Sequence, residues 1–291
     1  REFVDGPDDI ELIGSYSVTG GVPKYIEVFN TGKDLMDNIQ SNVLDCNSYL
    51  YKEPEFILDK EITDVKGSFP VMAAIAAGNR KLEDIARSMG MRSTDITRTL
   101  NNLREMDLVE REVPATEKYP ERSKMGLYAI KDRYFDFWFS YVYPYQDMLE
   151  SGHTEYVSKR IETTFFQGKV AQTYEGLCRE SVWTNECIMN RISPTRVGRY
   201  WGSAADETDI VMLDDIDKRI MIGECKYSKK PKDTRVMKGL KERLSALSVL
   251  TGYEPAGIVI FNMGGFTEDL IDYSRKNDII LVEGLDKVLT V

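Results

Sequence analysis

The sequence predicts a multidomain α+β protein with three successive parts: a helical segment, a small domain of three helices and a β-hairpin, and a mixed α/β domain. Apolar residues recur at helical spacing through residues 1–66. Three short helical patterns and two strand patterns follow in residues 67–131. Helix and strand patterns then alternate, and the wholly apolar run Ala256–Phe261 is typical of a strand buried on both faces. We therefore expect a mixed sheet flanked by helices at the end of the chain.

Composition limits the class of protein and the kinds of chemistry. The 291 residues are 42% hydrophobic and 30% charged, which is typical of a globular protein of two or three domains. The longest apolar run, Val71–Ala77, is far shorter than the ~20 residues of a membrane helix. The four cysteines lack Cys-x-x-Cys spacing, which argues against a zinc knuckle and favours a cytoplasmic location. The single histidine, His153, falls in a predicted surface turn, so catalysis is expected to use carboxylates, lysines or a metal.

The net charge of −10 is unevenly distributed along the chain. Residues 1–66 carry 6 basic and 14 acidic side chains, whereas residues 67–131 carry 11 basic and 9 acidic ones. The middle segment is therefore the part that repels nucleic acid least.

The first 66 residues are predicted to be three helices, at Asp8–Ser17, Lys24–Phe29 and Asp34–Tyr51. Two glycines and Pro23 separate the first two helices, which indicates a tight turn with proline near the start of the next helix.

Residues 67–131 have the element order of a winged helix-turn-helix domain. Predicted helices at Phe69–Ala77 and Leu82–Met89, the latter closed by Gly90, precede a third helix capped by Ser93-Thr94-Asp95. Predicted strands at Leu108–Val113 and Leu127–Ile130 form the wing. The expected DNA contacts are four polar residues of the third helix and one lysine of the wing: Thr94, Thr97, Arg98, Asn101 and Lys124. Contact with a protein through the same surface is an equal alternative, because acidic residues also lie on or near this helix.

Residues 132–160 are rich in aromatic side chains. A platform on which nucleic-acid bases stack is one interpretation. A buried helix that connects the winged helix to the next domain is favoured.

Residues 161–291 are predicted to form the α/β domain. A helix at about 161–180 precedes a first strand at Ile188–Ile192 and a hairpin of Thr208–Leu213 with Arg219–Lys226. A basic helix at about 233–249, the strand Ala256–Phe261, a helix at about 267–275 and the strand Ile279–Val282 complete the domain.

The hairpin carries the residues with the clearest chemistry. If Leu213 pairs with Ile220, Asp209 lies opposite Glu224, and Lys226 shares a face with Glu224 because alternate strand residues point the same way. Two carboxylates are hard oxygen ligands for Mg²⁺ or Mn²⁺, and a lysine stabilises an anionic transition state. A third carboxylate from the preceding helix would complete the site, Glu175 first and Glu180 as the alternative.

This arrangement resembles the PD-(D/E)xK nuclease superfamily. The resemblance implies that Asp209 is the acidic residue of the motif, that Glu224 and Lys226 form its E-x-K part, and that Glu175 is the helical acid. It implies catalysis by these four residues and a metal held by the three carboxylates. The sequence departs from the motif at Thr208, which stands where the family has proline. An ordinary salt bridge at a sheet edge is the alternative interpretation.

A broader resemblance, to archaeal-type ATPases of the STAND branch of AAA+ proteins, covers essentially the whole chain. It is carried by three segments: Val18–Tyr25, Tyr128–Phe139, and Gly198–Trp201 leading into Thr208–Val211. It implies that 1–66 is part of a helical lid, with Lys24 reaching toward nucleotide phosphate. A solvated lysine at a helix start is the favoured alternative for Lys24.

The chain has no Gly-x-x-x-x-Gly-Lys-Ser/Thr sequence, so the nucleotide site of such an ATPase is missing. The resemblance therefore implies a C-terminal part of a longer protein, with ATP bound by an N-terminal ATPase domain. The leading functional prediction is the effector region of a nucleotide-regulated ATPase that acts on DNA, with a Mg²⁺-dependent nuclease site. The alternative is a non-catalytic module whose winged helix binds DNA or protein. The sequence leaves the oligomeric state open.

Overall fold

The computed structural model describes residues 9–30, 32–61 and 65–290. These residues divide into two units. The first contains the described residues up to Glu112 together with Gly126–Val170, and the second contains Val113–Met125 and Ala171 onward. The division expected from the sequence, with boundaries at 1–66, 67–131, 132–160 and 161–291, stays a prediction. Among the described helices, none is both long enough and apolar enough to cross a membrane.

The first unit is mainly helical. Its first seven helices are α1 (Asp9–Thr19), α2 (Pro23–Val28), α3 (Leu35–Ile39), α4 (Tyr49–Glu61), α5 (Val65–Ala76), α6 (Leu82–Ser88) and α7 (Ser93–Glu105). Proline at the first position of α2 follows the two glycines, which both have positive φ, as the turn prediction requires.

The single helix predicted over Asp34–Tyr51 is wrong, because the chain breaks between a π-helical turn at Gln40–Leu44 and the start of α4. Asp45 is extended, and its Oδ1 accepts a hydrogen bond from the backbone N–H of Asn47, 2.9 Å away. This local turn competes with continued helix and ends it.

The winged-helix element order is present. The helices α5 to α7 are followed by the strands β1 (Val109–Glu112) and β2 (Leu127–Ile130), which pair antiparallel. Gly90 has a φ of 65° and follows α6, as expected for a C-terminal cap. The predicted Ser93 cap is wrong, because Ser93 is the first residue of α7 and Arg92 occupies the capping position.

The aromatic segment is buried within the first unit. It forms α8 (Arg133–Tyr141), which is followed by α9 (Gln146–Glu150) and α10 (Thr154–Thr164). Tyr134 donates a hydrogen bond to the Leu50 carbonyl at 2.5 Å, and Trp138 Nε1 donates one to the Tyr51 carbonyl at 2.7 Å. Because these rings pack against α4, they are not available as a base-stacking surface.

The second unit contains a six-stranded mixed sheet. Its elements after the 113–125 segment are α11 (Ala171–Ser181), α12 (Glu186–Met189), β3 (Arg196–Tyr200), β4 (Thr208–Asp214), β5 (Arg219–Lys226), α13 (Leu240–Thr251), β6 (Glu254–Asn262), α14 (Glu268–Asn277), β7 (Ile279–Glu283) and β8 (Lys287–Val288). The strands lie in sequence order, with β5–β6 and β6–β7 parallel and the other pairs antiparallel.

The first strand predicted at Ile188–Ile192 is wrong. Asn185 caps the short helix α12 by accepting a hydrogen bond from the Ile188 N–H at 3.2 Å, and this local cap favours helix over strand. The first strand of the sheet is β3 instead.

Helices flank the sheet, as predicted. Ile220 and Ile222 of β5 pack in one apolar cluster with Leu240, Leu244 and Leu247 of α13. Cys225, which lies on the same strand three residues after Ile222, points to the opposite face of the sheet, toward Cys178 of α11. The end of β5 therefore lies between helices that pack on different faces of the sheet.

Candidate functional site

The β4–β5 hairpin has the register expected from the sequence. Leu213 is opposite Ile220, and Ile210 is opposite Gly223. Extending this register by one residue brings Asp209 opposite Glu224. Glu224 is 8% exposed, although it lies at the end of a strand.

Glu224 is held between two cations. Its Oε1 lies 2.5 Å from the Lys226 ammonium, and its Oε2 lies 3.0 Å from Nη1 of Arg243 on α13. Burial alone would lower the pKa of Lys226, but the hydrogen bond and the charge of Glu224 outweigh it and raise that pKa. The sequence placed Glu224 and Lys226 together and did not identify Arg243. The only signal for Arg243 is the basic character of the helix that follows the hairpin.

Glu224 Oε2 is a buried oxygen that accepts no hydrogen bond from the described part of the chain. Arg243 is close enough to pair with it, but the geometry is that of an ion pair and not of a directed hydrogen bond. A buried carboxylate oxygen in this state is suited to bind a cation.

Asp209 is anchored to the backbone of the partner strand. Its Oδ2 accepts a hydrogen bond from the Cys225 N–H at 2.8 Å. Burial and then the negative charge of Glu224 raise its pKa. The Asp209 carboxylate therefore lies in an environment that disfavours its own negative charge, which a bound cation would relieve.

Glu175 of α11 lies in the same electrostatic neighbourhood. Burial, followed by the charge of Asp209, raises its pKa from 4.5 to about 6, against the opposing effect of Arg199 and Arg179. Arg179 also donates a hydrogen bond to the Asp209 carbonyl, 3.1 Å away. The alternative helical acid, Glu180, is exposed.

The expected set of three carboxylate ligands is not formed. Among residues 9–30, 32–61 and 65–290, no group of three His, Cys, Asp or Glu side chains is arranged to hold a metal ion. Mg²⁺ is commonly held by one or two carboxylates together with water and substrate phosphate. Asp209 and the buried Oε2 of Glu224 fit that smaller donor set.

Glu175→Gln should stabilise the protein at neutral pH and leave it unchanged in acid. The folded state holds the Glu175 proton up to about pH 6, whereas the unfolded chain releases it near pH 4.5. The stability of the folded state therefore decreases as the pH rises from about 4.5 to about 6. The expected gain for the variant is about 1–2 kcal/mol at pH 7. Urea unfolding at pH 4 and pH 7 measures it, with Glu180→Gln on the same helix as the matched control. An equal gain in that control, or none at pH 7, would contradict the prediction.

The predicted DNA contacts fall in different units. Thr94, Thr97, Arg98 and Asn101 are all exposed on α7. Lys124 is also exposed, but it belongs to the 113–125 segment of the second unit. In that unit the Ala115 N–H donates to the Arg199 carbonyl at 2.8 Å, and Trp201 Nε1 donates to the Met125 carbonyl at 3.0 Å. The segment that connects the two predicted wing strands is therefore hydrogen-bonded beside β3.

Lys24 has partners inside the first unit. Its ammonium donates to the Tyr49 hydroxyl at 2.5 Å and lies 4.1 Å from the centre of that ring. The Tyr49 hydroxyl in turn donates to Glu53. A contact between Lys24 and nucleotide stays a prediction. His153 is exposed in a turn before α10, where the sequence predicted a surface position.

Three similarities to known proteins accompany this geometry. Residues 138–237 match the profile of a family described as "Archaea bacterial proteins of unknown function" (DUF234). The chain is 29% identical over 247 residues to the uncharacterized protein MJECL04 of Methanocaldococcus jannaschii, covering 84% of this chain and 54% of that protein. The chain thus spans about half the length of that relative.

Among solved structures, the chain is similar to a repair endonuclease from Pyrococcus abyssi. The identity is 15% and the TM-score is 0.27, over 39% of this chain and 47% of that one. The range matched by the family profile contains α11 and the β4–β5 hairpin, and hence all four residues predicted for the nuclease site.

Proposed function

We propose that the second unit hydrolyses phosphodiester bonds of DNA with Mg²⁺ or Mn²⁺ held by Asp209 and Glu224. The observation that carries the proposal is the buried Glu224 Oε2, which accepts no hydrogen bond from the described residues, on a carboxylate beside Asp209 and Lys226. The two neighbouring carboxylates can bind a hard divalent ion, since one of them has an oxygen suited to a cation. The lysine can pair with an anionic substrate.

The roles of the residues follow from their surroundings. The Cys225 N–H fixes the Asp209 carboxylate, which limits the motion of one metal ligand. A bound divalent ion would lower the pKa of a coordinated water and offset charge on the phosphoryl group. In the reaction, a water oxygen forms a bond to phosphorus, the bond from phosphorus to the leaving sugar oxygen breaks, and the water loses a proton while the sugar oxygen gains one. The Lys226 ammonium stays charged and donates hydrogen bonds to the phosphoryl oxygens as their negative charge increases.

A titration of the full chain with Mn²⁺, followed by the loss of the free-ion electron paramagnetic resonance signal, tests this proposal. We expect binding of one equivalent at micromolar to millimolar metal, and cleavage of DNA only when the metal is present. Absence of binding at millimolar Mn²⁺ would overturn the metal-dependent reaction.

A non-catalytic scaffold is the second candidate function. It is favoured by the two cations that already neutralise Glu224 and by the lack of a three-carboxylate group in the described part of the chain. In this case, Asp209, Glu224 and Lys226 contribute only to folding. The Mn²⁺ titration separates the two functions before any variant is made.

We also propose that the chain is the effector region of a longer nucleotide-regulated ATPase and contacts DNA through α7. The exposed polar residues of α7 support the DNA contact, because this face has hydrogen-bond donors and a guanidinium open to solvent. ATP would be bound by an N-terminal domain of the longer protein.

Arg98→Ala should weaken DNA binding, and loss of a phosphate contact should lower the slope of log K against log salt by about one unit. Fluorescence anisotropy with a labelled duplex over a series of salt concentrations measures both effects. Arg160→Ala, which removes an exposed arginine from α10 of the same unit, is the matched control. Unchanged affinity together with an unchanged slope for Arg98→Ala would favour protein contact through α7.

A further inference from the structure

Arg243 is a buried cation whose charge faces the proposed metal ligand. Its side chain is 14% exposed, and its Nη1 lies 3.0 Å from Glu224 Oε2. We infer that Arg243 forms an ion pair with Glu224 in the metal-free protein. When the divalent ion binds to the Glu224 carboxylate, this ion pair breaks, and Arg243 then pairs with the phosphate of the substrate. This inference rests on the proposed metal-dependent reaction and gives its site a further residue.

The contacts of Arg243 suit an exchangeable pairing. Nη1 donates a directed hydrogen bond to the Glu207 carbonyl at 2.8 Å. Toward Glu224 Oε2 it supplies charge without a hydrogen bond of good geometry. The guanidinium is therefore anchored through the Glu207 backbone, while the Glu224 oxygen stays open to a stronger ligand. A planar guanidinium with several donors is also well matched to phosphate oxygens.

The local charges predict that metal and phosphate bind cooperatively. With the carboxylates ionised, Asp209 and Glu224 carry two negative charges, and Lys226 and Arg243 carry two positive ones. A divalent ion alone would leave this cluster with an excess of positive charge. An added phosphate removes part of the excess by pairing with the displaced cations, so each ligand should tighten the binding of the other.

The experiment compares Mn²⁺ affinity of the full chain and of Arg243→Gln, with and without thymidine 5′-monophosphate as the phosphate probe. The glutamine variant should bind Mn²⁺ about tenfold more tightly, because a competing cation is removed. It should also lose most of the tightening that the nucleotide produces in the parent chain, and cleave DNA at least about tenfold more slowly. Arg243→Lys keeps the charge and should bind Mn²⁺ as the parent does.

Arg275→Gln is the matched control, because it removes one arginine from the exposed side of α14 and makes the same change in net charge. If the parent binds Mn²⁺ but Arg243→Gln binds it equally or less tightly while folded, the inference is overturned and the proposed reaction stands. If the parent binds no Mn²⁺, the proposed reaction itself fails. If Arg243→Gln does not fold, the Mn²⁺ affinity of the parent chain with and without the nucleotide tests the inference. An affinity that the nucleotide does not change would contradict it.

Discussion

Asp209→Asn should reduce Mn²⁺ affinity by at least about a hundredfold and abolish DNA cleavage, because a neutral amide replaces one of two anionic ligands. The variant should fold, since the asparagine side-chain oxygen can still accept the hydrogen bond from the Cys225 N–H. At neutral pH its thermal midpoint should equal or exceed that of the parent, because a buried charge with a raised pKa has been removed. Calorimetric Mn²⁺ titration and a cleavage assay on the same preparation measure the two losses.

Two comparisons make this result interpretable. Asp272→Asn removes a carboxylate from an exposed pair on α14 and should leave Mn²⁺ binding and cleavage unchanged. Glu224→Ala should also abolish both activities, but it leaves Lys226 and Arg243 without their anion, so it carries a larger risk of unfolding. Full Mn²⁺ affinity in folded Asp209→Asn would show that Asp209 does not hold the metal.

Lys226→Met should slow cleavage by about a hundredfold or more, because the transition state loses a preorganised positive charge. Mn²⁺ binding should be retained or tightened, because an ammonium is not a metal ligand and the variant removes a cation that competes for Glu224. The two readouts therefore respond differently in Lys226→Met, whereas they fall together in Asp209→Asn. Single-turnover cleavage at saturating Mn²⁺ measures the chemical step.

The scaffold function gives a different pattern for Lys226→Met. It expects no Mn²⁺ binding in the parent and only a change in stability, since Lys226 would serve merely to neutralise Glu224. Lys241→Met, which removes an exposed lysine from α13, is the control for the loss of one positive charge in this unit. Unchanged cleavage in Lys226→Met would exclude Lys226 from the reaction.

Several local features were predictable from the sequence. Two apolar strand patterns flank the 214–218 turn, and the pairing of Leu213 with Ile220 across it, from which Asp209 was expected opposite Glu224, is the observed register. The helical spacing of Ile96, Leu100 and Leu103 left Thr94, Arg98 and Asn101 on the exposed face of α7. Here a short-range period decides which side chains share a face.

Two errors show where local pattern is insufficient. The short segment Ile188–Ile192 suits either a strand or a helix, and the Asn185 cap decided for helix. Within 34–51, apolar residues recur at helical spacing from Leu35 to Leu44, but the hydrogen bond from Asn47 to Asp45 interrupts the helix. In both places one side-chain hydrogen bond outweighed a weak preference of the backbone.

The sequence by itself determined the winged-helix order of elements, the mixed α/β class of the second unit, and the meeting of Asp209, Glu224 and Lys226 along one hairpin. Only the tertiary structure decided that Arg243 reaches Glu224 and that burial beside Asp209 raises the pKa of Glu175. The contact of Arg243 with Glu224 and the burial of Glu175 beside Asp209 depend on which turn of a separate helix packs against the strand. For α13 this is set by Leu240, Leu244 and Leu247 packing against Ile220 and Ile222, residues about 20 positions apart whose contact no local period specifies.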